Sequence, residues 1–431
     1  MRTVPTAGAI AAAVWLHQTA PGSVHTIAQH DRLRTSFEAA SAAVSGDGRY
    51  VAFSSYARLD SRDKDDRLDV YVLDRRDRSV SLESDGHEAN EAQVDYRHPR
   101  LTTDGATLVF ERACATHIEI IIRDRLRAGS VAIPDPPPGV LPNDYSRDPE
   151  ISGDGRLVVF SSTATHLVPP DANGRSEDVY AFDRASGTFE RVSVGIHGIQ
   201  LSNGSSLGPS VSADGRFVAF SSTSDLAESG SAQGPRPLMA ATAVYVFDRH
   251  LKMTRMVSRT PSRDRANGPS WSAALSKDGR YVAFVSEATN LVADDRNHSP
   301  DVFVADLATG RVDLISRTSS GSAANGRSAV PAVSDDGQVI AFQSDASDML
   351  CRRRCMPGSD DINLLWDVFV FHRPSGTMRR VSRDPETDWM EPSVGPALDR
   401  SGSIVAFSSR HPMDASDVEN DFDLFVWAVR P

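Results

Sequence analysis

One short pattern of polar and apolar positions returns seven times along the chain: a polar start, a tight turn, then an apolar run that usually ends in small hydroxyl residues. It reads VSGDGRYVAFSS at 44–55, LTTDGATLVFER at 101–112, ISGDGRLVVFSS at 151–162 and VSADGRFVAFSS at 211–222. It continues as LSKDGRYVAFVS at 275–286, VSDDGQVIAFQS at 333–344 and LDRSGSIVAFSS at 398–409. The central Asp-Gly tolerates positive φ and closes a β-hairpin between a short strand and the apolar one. A third strand follows each copy, as in DVYVLDR at 69–75, DVYAFDR at 178–184 and DVFVFHR at 367–373. After a short turn a fourth is expected at 189–194, 254–259, 312–317 and 377–383. Helical periodicity is almost absent, so the pattern predicts four-stranded antiparallel sheets repeated seven times.

Repeated sheets of this kind protect their edges by packing radially. The predicted fold is therefore all-β, a seven-bladed β-propeller of four-stranded antiparallel blades. The seventh unit lacks a fourth strand before Pro431, whereas Ser23–Gln29 stands where a fourth strand would precede the first hairpin. The N-terminal strand is thus expected to complete the last blade and close the ring. Residues 23–431 form one propeller domain on this reading, and residues 1–22 a leader.

The hairpin S-x-D-G-R-x-V-A-F-S-S followed by D-V-Y-V-F-D-R resembles the WD40-like (PD40) repeat of TolB-type propellers. That resemblance implies the blade fold over about residues 23 to 431. It does not extend to function, because such blades serve as interaction platforms, as domains attached to peptidases and as the body of a few lyases. The TolB α/β domain has no counterpart before the first hairpin, and no hydrolase domain follows the last.

Charge narrows the partners: 58 acidic against 46 basic residues give −12, which speaks against a general affinity for nucleic acid or anionic lipid. Arg2, the apolar run Ala7–Leu16 and the small residues that follow match a secretory signal peptide, too short to span a bilayer. An extracytoplasmic chain, periplasmic or secreted and not membrane-spanning after leader removal, is the expectation. In that setting Cys351 and Cys355 are spaced for a loop disulfide, leaving Cys114 as a buried thiol.

The most repeated polar feature is Asp-x-Asx/Glu-x-x-x-Asp before the third strand: Asp63–Asp65–Asp69, Asp295–Asn297–Asp301, Asp361–Asn363–Asp367 and Asp417–Glu419–Asp423, with a longer relative in Asp171–Asn173–Asp178. Alternating oxygens of this sort suit calcium, and equally the Asx-turns that start a strand. Asn203-Gly204, Asn267-Gly268 and Asn325-Gly326 read as interblade turns with positive φ. The G-x-S-x-G match at Gly204–Gly208 lacks the strand-to-helix setting of a nucleophile elbow. His98, His166, His298 and His411 fall near predicted loops, where they could meet in space. Two insertions, Asp225–Thr242 and Asp345–Trp366, break the repeat. The second carries Arg352, Arg353, Arg354 and Trp366, a composition frequent in binding hot spots.

No contiguous catalytic motif stands out, so these observations favour a non-enzymatic, exported scaffold that binds a protein or cell-envelope polymer without a cofactor. The alternative is a lyase or hydrolase acting on a polysaccharide or lactone at the channel mouth, with a divalent metal. Three or more His or carboxylate groups meeting at one mouth would favour the enzyme.

Overall fold

A computed structural model describes residues 24–26, 41–84, 94–126, 129–133, 145–195, 198–226, 242–350, 365–382, 391–410 and 422–429. These form 28 strands in seven four-stranded antiparallel sheets, as the repeat predicts. In six of the sheets the strands lie in chain order; blade three, for example, runs Ser146–Ile151, Leu157–Ser162, Asp178–Asp183 and Thr188–Arg191. The seventh is completed by Val24–Thr26, which pairs antiparallel with Asp423–Ala428 and sets Val24 opposite Trp427. The ring is therefore closed by hydrogen bonds between the two ends of the chain. Among the described residues no helix is long and apolar enough to cross a membrane. The leader at 1–22 lies outside them.

Each residue of the repeated phrase has a place. In most blades the phenylalanine of the second strand packs on an aromatic ring of the third, stacked in Phe220–Tyr245 (6.1 Å), Phe284–Phe303 (5.8 Å) and Phe407–Phe425 (5.7 Å). These rings fill the spaces within and between blades, where burial of apolar area supplies most of the stabilisation. The last serine of the second strand bonds the first serine of the inner strand, as in Ser146–Ser162 and Ser270–Ser286, both 2.9 Å. In the turn, Asp154 Oδ1 accepts bonds from Ser152 Oγ (2.6 Å) and the Arg156 amide (3.0 Å). The fourth strands are shorter than expected, ending at Arg191, Met256, Leu314 and Arg380. Two residues later in each case a serine turns inward: Ser193, Ser258, Ser316 and Ser382 each accept the second N–H of the third strand. A serine cannot do this while it continues a ladder.

First strands of successive blades touch one another all the way around, so they are the innermost. At one end the hairpins join in a belt of backbone bonds, in which Gly46 donates to Thr103, Thr103 to Gly153, Gly153 to Ala213 and Ala213 to Lys277; Asp278 then donates to Asp335, Asp335 to Arg400 and Arg400 to Gly46. Six inner strands also carry a bulge whose residue has positive φ: His98, Asp148, Gly208, Ser272, Val330 and Gly395. A bulge re-aims a side chain out of the regular alternation. Glycine occupies it at low cost in blades four and seven, whereas His98, Asp148, Ser272 and Val330 hold a conformation that side chains other than glycine adopt uncommonly.

Candidate functional site

The inner strands of blades one and four to seven contain no ionisable side chain; they read AAV, SLGPSV, SWSAAL, SAVPAV and SVGPAL. Blades two and three replace this with DYRHPRL and SRDPEI. The charge of the inner strands is therefore confined to one side of the ring, and there the two bulge residues meet.

Glu111, on the second strand of blade two, lies between them. Its position is a repeated slot whose side chain accepts the bulge N–H of the next blade. Ser161 accepts from Gly208 (3.2 Å) and Gln343 from Gly395 (3.0 Å). Glu111 Oε1 accepts the Asp148 amide at 2.8 Å in the same way. Blade two alone puts a carboxylate in that slot. Arg97 Nε donates to its other oxygen at 2.8 Å. His98 Nδ1 comes within 3.0 Å of Glu111 Oε1, but is buried and off the line a hydrogen bond requires. One nitrogen of His98 and one oxygen each of Glu111 and Asp148 all lie within 4.8 Å of one another.

Burial works against charge on Glu111, but the neighbouring His98 and Arg97 and the Asp148 amide outweigh it, so the carboxyl sits below its ordinary range. Asp148 is pushed up, first by burial and then by the Glu111 charge, against the pull of His98, Arg147 and Arg100. Around this group Arg100 Nε donates to Glu150 at 2.6 Å, Lys277 approaches the other Glu150 oxygen at 3.8 Å, and Arg147 pairs with Glu177. Four basic side chains thus face four carboxylates.

An imidazole nitrogen without a hydrogen bond, converging with two carboxylates, is a donor set that suits a divalent transition ion such as manganese. The residues present fit such a group.

No family model matches the chain, and no curated protein matches it. Solved structures do. An oligogalacturonate lyase in complex with manganese aligns over 96% of this chain and 99% of its own, at 13% identity and a TM-score of 0.54. The oligogalacturonate lyase of Vibrio parahaemolyticus covers 95% and 99% at 12% identity, with a TM-score of 0.55. A putative TolB from Agrobacterium tumefaciens covers 73% and 88% at 16% identity, with a TM-score of 0.42, too loose a fit to add to the blade pattern. At these identities the likeness is one of fold, and the TolB-type resemblance extends to the propeller and no further.

The expectation of a non-enzymatic scaffold is corrected on two grounds: two structures that match over the whole chain are oligogalacturonate lyases, and His98 and Asp148 of the inner strands do meet a carboxylate, Glu111 of a second strand. The expectation of no cofactor is not kept either, because one of those enzymes holds manganese and the donor set here suits such an ion. The sequence signal for this site was available in the inner strands, where RHPR and RDPE break a run of Ser, Gly, Pro and Ala.

Of the other candidates, Trp366 lies beneath the Arg327 guanidinium at 5.2 Å, just before the third strand of blade six. Arg352, Arg353, Arg354, Cys351, Cys355 and His411 lie outside the described residues. Cys114 forms no disulfide among the described residues. His166 and His298 join no group of three ligands. Gly204–Gly208 runs into the strand Ser206–Val211, with no helix. The Asp loops do make Asx-turns: Asp63 accepts the Asp65 amide, Asp65 that of Arg67, and Asn297 that of Ser299. Of the three Asn-Gly turns only Gly204 has positive φ; at Gly268 and Gly326 a Cβ would instead meet the backbone of Ala288 and Ala346.

Proposed function

We propose that this protein is a polysaccharide lyase that cleaves an anionic, uronate-containing chain by β-elimination where blades two and three meet, with a divalent metal ion held by His98, Glu111 and Asp148. The observation that carries the reading is the convergence of those three ligand atoms within 4.8 Å, where the inner strands carry charge among the described residues. The whole-chain likeness to oligogalacturonate lyases, one of them with manganese, supports it.

In β-elimination a base takes the proton α to a carboxylate, the C–H electron pair forms the new C=C bond, and the bond from the β-carbon to the glycosidic oxygen breaks, that oxygen leaving with its electron pair and taking up a proton. Positive charge must gather at the substrate carboxylate as the α-proton leaves. When bound, the metal would supply a Lewis-acid contact to that carboxylate. Arg147, half-exposed, offers a forked donor pair to the same group, and Glu177 holds it in place. Arg100 is oriented by Glu150 in the same manner. Because the eight charged side chains balance, the ion tips this surface to net positive and selects an anionic over a neutral polymer. The leader at 1–22 would deliver such an enzyme to the compartment where these polymers occur.

The test incubates the full chain with oligouronates and with neutral oligosaccharides and follows the ultraviolet absorbance of the unsaturated product. Product is expected from uronates alone, lost on chelation and restored by manganese. Glu111→Gln keeps the Asp148 bond, since Gln343 does the same work in blade six. It should fold normally and lower turnover by roughly 100-fold or more through loss of a metal ligand. Absence of product from every uronate with metal present would overturn the proposal.

A further inference from the structure

Away from the inner strands, the first residue of the third strand is a buried aspartate in several blades, and what neutralises it differs from blade to blade. In blade three Asp178 faces Arg191, 3.5 Å away, and in blade six Asp367 faces Arg380 at 3.0 Å. These arginines hold the same register, opposite Tyr180 and Phe369 of their third strands. Blade four has Ala243 at the acidic position and Met256 at the basic one, so both charges are absent together. Blade five breaks the rule: Asp301 is fully buried, and the residue in register, opposite Phe303, is Leu314.

A second donor is missing there too. In blade three the Gln200 amide nitrogen sits among Asp171 Oδ1 (2.9 Å), Asn173 Oδ1 (2.6 Å) and Asp178 Oδ2 (2.7 Å). In blade five the counterpart of Asp171 is Asp295, which is only 3% exposed, and its Oδ1 has no hydrogen-bond partner. The Asn297 amide reaches Asp301 Oδ2 and the Ala324 carbonyl, both at 2.7 Å, but brings no charge. An unpartnered buried carboxylate oxygen close to a second buried carboxylate is costly unless a cation joins them.

We propose that a hard divalent cation of the calcium class binds between Asp295 and Asp301 and does in blade five what arginine does in blades three and six. The oxygens at hand are carboxylates and a carbonyl, which suit calcium rather than a softer metal. Blade one shares the exchange, with Leu82 in register and Asp63, Asp65 and Asp69 within 4.8 Å. There, however, the Tyr71 hydroxyl and the Asp65 amide already engage both Asp63 oxygens.

The test is calcium binding and thermal unfolding of the full chain after chelation. Calcium should raise the unfolding temperature of the wild type. Asp295→Asn should bind one ion fewer per chain and lose that increment. Leu314→Arg should also lose the increment while the chelated protein gains stability, because the substitution installs the arginine of blades three and six. Equal binding stoichiometry in wild type and Asp295→Asn, or a calcium increment that survives in either variant, would refute the proposal; Asp295→Asn decides the matter if Leu314→Arg fails to fold.

Discussion

The counter-charge argument makes its sharpest prediction in blade six, where the built-in pair can be taken apart. Arg380 Nη1 lies 3.0 Å from Asp367 Oδ2, with the two side chains 2% and 1% exposed. Asp367 also accepts the Ser382 hydroxyl at 2.7 Å. Arg380→Met removes the cation that lies against this buried carboxylate, and such a half-broken buried pair costs about 3–5 kcal/mol. Asp367→Ala leaves the guanidinium instead, with a penalty on the order of the same 3–5 kcal/mol. If the two residues were independent, the double variant would lose about 6–10 kcal/mol. Asp367→Ala with Arg380→Met, however, gives blade six the Ala243 and Met256 pair that blade four already uses. Its expected cost is only about 1–2 kcal/mol, mostly for the lost Ser382 bond. Equilibrium urea unfolding, followed by tryptophan fluorescence with Trp366 next to the site, measures all three. A double variant that loses the sum of the single losses would refute the idea that each buried aspartate needs its own cation, and the blade-five argument with it.

Two further predictions concern the belt and the turns. Asp335 is raised first by burial and further by Asp278 and Asp336, against Lys277 and Arg400, so its ionisation destabilises the fold. That penalty is absent below about pH 4, the ordinary aspartate range, and grows as pH rises through the raised value. Asp335→Asn should therefore stabilise the protein at neutral pH and give no gain in acid; a gain that is equal or larger in acid would show the sign to be wrong. Gly310 and Gly337 both have positive φ, but only Gly337 has a neighbour, the Tyr281 ring, where a Cβ would go. Gly310→Ala should cost about 1 kcal/mol for the backbone alone, and Gly337→Ala a further 1–3 kcal/mol or so for the overlap; equal melting temperatures would dispose of the packing argument.

Most of the fold could be read from the sequence because each blade is specified locally. The Asp-Gly turn, the alternation of the strands and the hydroxyl pairs lie within one repeat, and seven repeats average out the noise. The fourth strands were read too long because a propensity pattern does not show Ser193 or Ser382 leaving the ladder to cap the third strand. The candidate site was missed for a different reason. Its parts are ordinary on their own: a histidine before proline, an aspartate before proline and a glutamate in a strand. Only a comparison of the seven inner strands with one another marks RHPR and RDPE as departures, whereas the irregular loops stand out from any single repeat.

By itself the sequence determined the blade and the number of blades, since those depend on hydrogen bonds and apolar contacts between neighbours in the chain, and it also showed the closure of the ring, because the strand missing from the last repeat is found before the first. Tertiary structure decided where charge is shared. Asp148 reaches Glu111 across 37 residues only because the radial packing of blades sets one bulge amide against the preceding blade's second strand. Likewise, that Leu314 stands where blades three and six have arginine follows from the strand register, and it leaves Asp295 and Asp301 without the cation those blades carry. Charge compensation depends on distance in space, which a linear pattern does not carry.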